Sequence, residues 1–299
     1  MSTVSPRAVV VTRPTELDAL VARHGTRAQA DFFLRGSGRS IDELDARHRK
    51  LAQALERVAA AVPLRWRRAR VDRADLSRFV FGPEDVVLVV GQDGLVANVA
   101  KYLRGQPVVG VNPDPSRHDG VLAPHPAEAV GDLLAAVARG RARTEERAMV
   151  EARLDDGQRI LALNEVFVGH RTHQSARYHI ALGDKGEAHS SSGVIVATGT
   201  GATGWARSIA RQRPKPPAMP APGDRRLVFF VREPFPSVAT KTSMDQGELR
   251  EGATLALRSE MDDDGTLFGD GIEDDRVAFG WGRRVEVGVA PERLRLVRG

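Results

Sequence analysis

One stretch decides the fold of the first half of the chain: Glu84-Asp85-Val86-Val87-Leu88-Val89-Val90-Gly91-Gln92-Asp93-Gly94. Its apolar residues follow one another without alternation, which is typical of a strand covered on both faces in a parallel sheet. Gly91 and Gly94 then bracket a turn at the carboxyl end of that strand, where open α/β sheets bind ligands. Glycines let backbone N–H groups approach a phosphate, and Asp93 can hold Mg²⁺ or accept a hydroxyl proton. The stretch indicates a phosphate site, and an ordinary strand-to-helix turn is the alternative that residues 91–94 alone leave open.

Strand and helix patterns alternate on both sides of this stretch. Apolar runs predict strands at 8–12 and 107–111, and an apolar stripe over 44–62 predicts a helix capped by Ser40 or Asp42. Further helical segments are predicted at 15–34, 98–103 and 127–139, with a loop at 35–40. Such alternation predicts an α/β N-terminal domain over residues 1–143, with Rossmann-like layers and a parallel sheet.

The second half of the chain has a different pattern. Strand-like segments, several separated by Gly-containing turns, are predicted at 147–155, 159–168, 176–184, 193–198, 226–231, 253–260, 266–268, 277–279 and 284–289. This pattern predicts a mostly-β, sandwich-like, largely antiparallel C-terminal domain over residues 144–282. We expect the last segment, 283–299, to return to the first domain.

Composition narrows the classes of function. The chain has no cysteine, so disulfides and thiol catalysis are excluded. The net charge is +5, but basic and acidic residues are interleaved, and the densest basic run, 65–70, is interpreted as a solvated edge rather than a nucleic-acid patch. No stretch is apolar enough for a membrane span, and residues 1–7 lack the apolar core of a secretory signal. We therefore expect a cytoplasmic protein with no nucleic-acid or membrane partner.

Four motifs in order carry a resemblance to a known family. The first is the Gly91–Gly94 loop, and the second is the strand and turn Pro107-Val108-Val109-Gly110-Val111-Asn112-Pro113-Asp114. The third is Asn164-Glu165 with the later stretch Thr198-Gly199-Thr200-Gly201-Ala202-Thr203, and the fourth is Leu267-Phe268-Gly269-Asp270-Gly271. Together they resemble the NAD kinases, and the second motif and the Thr198–Thr203 stretch resemble the mitochondrial-type branch of that family. The resemblance covers roughly residues 8–297.

The resemblance implies an ATP-dependent kinase that phosphorylates the adenosine 2′-hydroxyl of NAD and makes NADP. It implies that Gly91, Gln92 and Gly94, with Thr198, Thr200, Gly201 and Thr203, bind phosphates and adenosine, and that Asn164 and Glu165 hold a ribose. Asp93 would be the catalytic base or the organiser of the Mg²⁺ that enters with ATP, and no direct metal ligand is assigned. The substrates would be NAD and ATP, or polyphosphate as the donor. A homodimer or homotetramer is also implied.

One departure from the family pattern concerns the phosphate loop. Gln92 stands where related kinases carry Gly, and a positive φ there would cost roughly 1–2 kcal/mol. The alternatives are that its side chain points outward or that its amide donates to a phosphate oxygen. This departure motivates two further hypotheses: a non-catalytic NAD- or ATP-binding protein of the same fold, and a kinase for another hydroxyl substrate such as a lipid or sugar.

Two other patterns are set aside. The segment 199–204 has the spacing GxGxxG but lacks the second strand and terminal acid of a dinucleotide-binding Rossmann loop. The acidic run 262–264 lacks the flanking helices and the ligand spacing of a calcium loop, so we expect a hairpin turn there.

Overall fold

The computed structural model describes residues 5–299, and Asp274 by its backbone alone. Residues 1–4, on which part of the expectation about a signal segment rests, lie outside this range. The chain divides into two compact units. The first unit contains the residues up to Glu145 together with Arg295–Gly299, and the second contains Glu146–Leu294. The domain boundaries at 143 and 282 that the sequence suggests stay predictions.

The first unit alternates strands and helices, as expected. Its strands are β1 (Arg7–Thr12), β2 (Arg67–Asp72), β3 (Asp85–Val90) and β4 (Pro107–Val111). Its α-helices are α1 (Glu16–His24), α2 (Arg27–Gly36), α3 (Ile41–Ala61), α4 (Asp93–Ala100) and α5 (Val130–Ala138), with short 3₁₀ turns at Arg73–Arg78 and Ala127–Ala129. Ser40 caps α3 by accepting the backbone N–H of Asp42, a pairing that fixes where this helix begins.

The strands of the first unit form a parallel sheet in the order β2-β1-β3-β4, continued by the last residues of the chain. Those last residues belong to β16 (Arg284–Val297), of which Arg295 and Leu296 pair with β4. Every residue of β3 is buried, which agrees with the unbroken apolar run in the sequence. A core of Val, Leu and Ala side chains packs α3 and α5 against this sheet. The predicted α/β layering with a parallel sheet is confirmed.

Two local predictions for the first unit need correction, and one strand was not predicted. That strand is β2, formed by the basic run after α3 at the edge of the sheet, and three of its six residues are exposed, in keeping with a solvated edge. The helix after the phosphate loop begins at Asp93 rather than near residue 98, so Asp93 and Gly94 form its first turn. Helix α2 continues to Gly36, into the segment predicted as a loop.

The second unit is built almost entirely from strands. They are β5 (Thr144–Leu154), β6 (Arg159–Ala162), β7 (Glu165–His170), β8 (Ala176–Leu182), β9 (Lys185–Ser191), β10 (Val194–Ala197), β11 (Arg226–Val231), β12 (Gln246–Arg250), β13 (Thr254–Ser259), β14 (Gly265–Gly269), β15 (Ile272–Ala278) and most of β16. One short helix, α6 (Trp205–Ala210), follows a 3₁₀ turn at Gly201–Thr203.

Two layers of antiparallel strands make up this unit. The first layer pairs β9 with β8, β8 with β13, and β13 with the beginning of β16, and β5 pairs with β6. The second layer has six strands in the order β12-β11-β10-β7-β14-β15. Apolar side chains from both layers share one buried core, including Val166, Tyr178 and Leu257. The predicted mostly-β, sandwich-like domain is confirmed.

Candidate functional site

Asp93 is the first residue of α4 and directly follows the turn at the end of β3. Its carboxylate accepts three backbone N–H groups. Oδ1 accepts those of Leu122 at 2.9 Å and Ala123 at 3.0 Å, and Oδ2 accepts that of Val121 at 3.0 Å. A carboxylate has about four lone-pair positions, so these bonds leave one position on Oδ2. The side chain is thereby held in one orientation while it keeps the capacity to accept one more proton or cation.

Two glycines let the segment 121–123 reach Asp93. A Cβ on Gly110, in β4, would lie 2.0 Å from the carbonyl oxygen of Leu122, so only glycine allows the segment to pack on this strand. Gly120 adopts φ +66°, and a Cβ there would lie 2.4 Å from the Ala123 oxygen. Both positions therefore require glycine for steric reasons, and both serve the contact with Asp93.

The loop residues before Asp93 differ in how they are constrained. A Cβ on Gly91 would lie 3.1 Å from the buried Leu95 side chain, a tight contact that Leu95 would relieve only by shifting a few tenths of an ångström. Gln92 has φ −84° and ψ 164°, an extended conformation open to any residue, so the strain that a positive φ would have caused is absent. Gly94 has no atom within 4 Å of a Cβ position, so space does not demand glycine at this position.

The Gln92 side chain is anchored at both ends. Its Oε1 accepts a hydrogen bond from Nη2 of Arg13 at 2.9 Å, and its Nε2 lies 2.7 Å from Nε2 of His118. Neither Arg13 nor His118 was singled out in the sequence, because both lie far from the loop along the chain.

The Asn-Pro-Asp turn after β4 is held by its own side chains. Asn112 Oδ1 accepts the backbone N–H of Asp114, and Asn112 Nδ2 donates to the His118 carbonyl. Lys50 donates to the Asp114 carboxylate at 2.7 Å, and Ser116 donates to the same oxygen at 2.6 Å. These two hydrogen bonds lower the pKa of Asp114, and the bond from Lys50 has the larger effect.

In the second unit, Asn164 lies between β6 and β7 and Glu165 begins β7. The carboxylate of Asp270 accepts the backbone N–H of Asn164 at 2.6 Å and that of Leu163 at 3.0 Å. Asp270 itself occupies the turn between β14 and β15 with φ +55°, a conformation that Asp tolerates better than most residues. The Asp of the fourth motif thus fixes the backbone that carries the Asn-Glu pair.

Glu165 is the most perturbed carboxyl group of this arrangement. Burial, and then the nearby charge of Asp270, raises the pKa of Glu165 to about 7. A carboxyl group in this condition exchanges its proton near neutral pH, so it can both accept and donate hydrogen bonds to hydroxyl groups.

The stretch from Thr198 to Thr203 packs directly on the Asn-Glu segment. The Thr198 N–H donates to the Asn164 carbonyl at 2.9 Å, and its hydroxyl donates to the Leu163 carbonyl at 2.5 Å. The same hydroxyl accepts the backbone N–H groups of Thr200 and Gly201. Thr198 is fully buried, and its hydrogen bonds fix the conformation of the loop.

The remaining loop residues have distinct surroundings. A Cβ on Gly201 would lie 2.2 Å from the Asn164 oxygen, so glycine is required at this close approach. The Thr203 hydroxyl donates to the Thr200 carbonyl. Arg147, from β5, is buried and donates to the Thr200 hydroxyl at 3.2 Å. Sequence reasoning missed Arg147, since one Arg in a strand of mixed charge carries no motif.

The predicted site residues therefore fall into two groups, one in each unit. The first group lies at the end of β3 and the start of α4 and consists of Gly91, Gln92, Asp93 and Gly94. In the second group, the Asn164-Glu165 segment contacts Thr198, whose hydroxyl accepts the N–H groups of Thr200 and Gly201, and Thr203 donates to Thr200. Within residues 5–299, no cluster of three or more His, Asp or Glu side chains has the geometry of a metal site. None of the helices in that range has the length and apolar character needed to cross a bilayer.

Comparisons with known proteins agree with this architecture. An NAD kinase of Heliobacterium modesticaldum is 38% identical over 135 residues, which covers 42% of this chain and 46% of that protein. The NAD kinase of Neisseria meningitidis is 30% identical over 143 residues, covering 45% of this chain and 46% of that protein. The matched segment thus spans less than half the length of these curated relatives. No family model matches the chain.

A solved structure extends the similarity to the whole fold. Yeast NADH kinase, solved in complex with NADH, superposes with a TM-score of 0.58 and 15% sequence identity. The superposition covers 99% of this chain and 84% of the yeast chain. At this identity the comparison establishes the fold, in both of its parts.

Proposed function

We infer that this chain belongs to the NAD kinase family, and on that premise we propose that it transfers the γ-phosphate of ATP to the adenosine 2′-hydroxyl of NAD, giving NADP. The observation that carries the proposal is the fixed Asp93 carboxylate at the end of β3, with its one remaining acceptor position. The yeast relative that shares the fold was solved with NADH, which supports a nicotinamide dinucleotide as the acceptor. We also propose that the chain belongs to the mitochondrial-type branch, on its Asn112–Asp114 turn and Thr198–Thr203 stretch.

The proposed reaction is an in-line displacement at phosphorus. The 2′-hydroxyl oxygen forms a bond to the γ-phosphorus of ATP, the bond to the β–γ bridging oxygen breaks, and ADP leaves. Asp93 Oδ2 accepts the proton that the hydroxyl releases. Such a transfer depends on positioning and on neutralising charge rather than on covalent help from the protein.

The other predicted residues have binding roles in this proposal. The backbone of Gly91–Gly94 contacts phosphate oxygens, and the Thr198–Thr203 stretch contacts phosphate and adenosine. Asn164 and Glu165 bind ribose hydroxyls, for which the near-neutral pKa of Glu165 is suited. Mg²⁺ bound with ATP would supply positive charge that neutralises the phosphates.

Catalysis is favoured over mere nucleotide binding by the conformation of Gln92. The hypothesis of a non-catalytic protein was motivated by a side chain where the family has glycine. Because Gln92 adopts φ −84°, the substitution leaves the backbone before Asp93 unstrained. An unstrained backbone at this position supports the proposal of a kinase over that of a non-catalytic protein.

A coupled assay tests the proposal. The purified chain is incubated with NAD, ATP and Mg²⁺, and NADP is detected with an NADP-specific dehydrogenase. Asp93→Asn serves as the control, since it keeps the size of the side chain and removes the base. We expect NADP from the parent and a loss of at least about a hundredfold in the variant, the order of effect for a general base. NADP formation at the parent rate by Asp93→Asn would refute the role of Asp93.

Replacing ATP with inorganic polyphosphate in the same assay identifies the donor. We propose ATP, and turnover with polyphosphate alone would overturn that choice. Isothermal calorimetry with NAD reports whether an inactive preparation still binds its acceptor.

A further inference from the structure

The order of strands in the first unit marks one place on the sheet where a ligand fits. From β1 the chain first adds β2 on one side and then β3 on the other, so the order reverses between β1 and β3. Open α/β sheets bind ligands outside the carboxyl ends of their strands at such a reversal. Arg13 directly follows β1, and Gln92 follows β3 by two residues, so both lie at this point.

Arg13 supplies the positive charge at this position. Its hydrogen bond to Gln92 Oε1, at 2.9 Å, is made to a neutral group. Among the ion pairs formed within residues 5–299, none neutralises Arg13. By contrast, Arg7 on the same strand is tied to Asp85. Arg13 therefore keeps its charge and most of its five N–H donors for an anion.

The chemistry of the amide fixes how Gln92 is oriented. Arginine only donates hydrogen bonds, so Gln92 must present its oxygen to Arg13. The amide nitrogen then faces His118, and since it too only donates, Nε2 of His118 must accept. The hydrogen bonds that link Arg13, Gln92 and His118 can all form only when the imidazole is neutral with its proton on Nδ1. In a protonated His118, an N–H group of the ring would face an N–H group of the Gln92 amide, and the hydrogen bond between them would be lost.

We propose that Gln92 is a positioning residue that holds Arg13 for binding the polyphosphate of the phosphate donor, with His118 as the acceptor that orients the amide. The proposal rests on the kinase function proposed above. It gives the side chain at this position a role that a glycine does not have. Arg13 is the residue that touches the donor, and Gln92 acts through it.

The test compares steady-state kinetics of Arg13→Ala, Gln92→Gly and the double variant. We expect each single variant to raise KM for ATP about tenfold, equivalent to about 1.4 kcal/mol. KM for NAD and kcat should change less than twofold. The double variant should be no worse than Arg13→Ala, because Gln92 acts through Arg13. Additive losses, or an unchanged KM for ATP in Gln92→Gly, would overturn the proposal.

A matched control separates this effect from the general loss of charge. Arg70→Ala removes an exposed arginine from β2 of the same sheet, and it should leave KM for ATP unchanged. Glycine is tolerated at a helix N-cap, the position that Gln92 occupies, so Gln92→Gly should fold.

Two variants of His118 test the orientation of the amide. His118→Gln keeps an acceptor for Nε2 of Gln92, so its KM for ATP should stay close to that of the parent. His118→Ala removes the acceptor, so its KM for ATP should rise. A parent-like KM for ATP in His118→Ala would contradict the proposed orientation.

Calorimetry with inorganic tripolyphosphate distinguishes the two possible failures. If the parent makes no NADP, the proposed function fails, and tripolyphosphate affinity in the same variants still decides the role of Gln92. If the parent makes NADP but neither KM for ATP nor tripolyphosphate affinity responds to Gln92→Gly, the positioning role alone fails.

Discussion

Gly201→Ala should destabilise the second unit because the structure leaves no space for the added Cβ atom. The added Cβ would lie 2.2 Å from the Asn164 oxygen and 2.6 Å from its carbon, where ordinary contacts begin at 3.4 Å. The backbone of one segment must therefore move by more than 1 Å, the difference between 3.4 and 2.2 Å. The Asn164 oxygen also accepts the Thr198 N–H at 2.9 Å, and this bond is lost or weakened by the movement.

The magnitude follows from these two effects. Overpacking a closed contact costs about 1–3 kcal/mol, and a lost backbone hydrogen bond costs about 1 kcal/mol more. A decrease of about 2–4 kcal/mol in the free energy of unfolding corresponds to a fall of roughly 5–15 °C in melting temperature for a unit of this size. Because the same movement shifts Asn164, we also expect NAD affinity to fall at temperatures where the variant is still folded.

Differential scanning calorimetry measures the first effect and isothermal calorimetry the second. Gly280→Ala is the matched control in the same unit, since its Cβ would meet no atom closer than 3.7 Å. It should change the melting temperature by no more than about 2 °C, the scale of a neutral surface substitution. If Gly201→Ala melts and binds NAD like this control, the close packing of the two segments is refuted.

Three further predictions concern the carboxyl groups. The pKa of Glu165 is raised to about 7 in the folded chain, so the free energy of unfolding of the parent should fall as pH rises from about 4.5 to 7. Urea titrations measure this fall, and it should be absent in Glu165→Gln. The same dependence on pH in Glu165→Gln and the parent would contradict the prediction. Burial is the larger cause of the raised pKa of Glu165 and the charge of Asp270 the smaller, so Asp270→Asn should lower that pKa in part. The loss of stability with rising pH should then end at a lower pH than in the parent, which the same titrations measure. Lys50 and Ser116 lower the pKa of Asp114, so the ionised Asp114 carboxylate stabilises the fold above about pH 4, and this stabilisation disappears as pH falls through the folded-state pKa. Asp114→Asn should therefore be less stable than the parent at pH 7 and equal to it in strong acid.

Continuous apolar segments made the first half of the fold predictable. Val86–Val90 is buried on both sides, so its sequence matches its environment directly. Strand β2 was missed because it is an exposed edge strand, and its arginines resemble a solvated surface. Strand β9 was missed although it is partly buried. Its inward side chains, Glu187, His189 and Ser191, are buried but polar, so no apolar alternation marks the strand.

The buried polar side chains of β9 form hydrogen bonds with one another and with residues outside the strand, and among the described residues only Nδ1 of His189 on this strand is buried without a partner. His189 contacts Glu187, and Glu187 accepts hydrogen bonds from Ser243 and from the Met244 N–H. Ser191 pairs with the Tyr178 hydroxyl. Hydropathy cannot reveal such a strand, because hydrogen bonds offset the cost of burying its polar groups.

The candidate site shows the same limit. The Gly91–Gly94 loop could be predicted because strand, turn and helix are adjacent in sequence. The partners of Asp93 could not, since the N–H groups that hold it come from residues about thirty positions away. Asp270 is 106 residues from Asn164, and only the fold shows that it holds the backbone of the Asn-Glu pair. Similarly, the sequence identified Gln92 as a departure, but its two anchors became visible only in the structure.

Transfer of labelled phosphate tests the central claim most directly. The chain is incubated with NAD and ATP labelled in the γ-phosphate, with Mg²⁺, and the products are separated by chromatography. The account predicts that label appears in NADP, as a 2′-phosphate that a phosphomonoesterase releases, and that Asp93→Asn lowers the rate of transfer by at least about a hundredfold. Label that stays in ATP, or passes only to water, while NAD still binds by calorimetry, would contradict it.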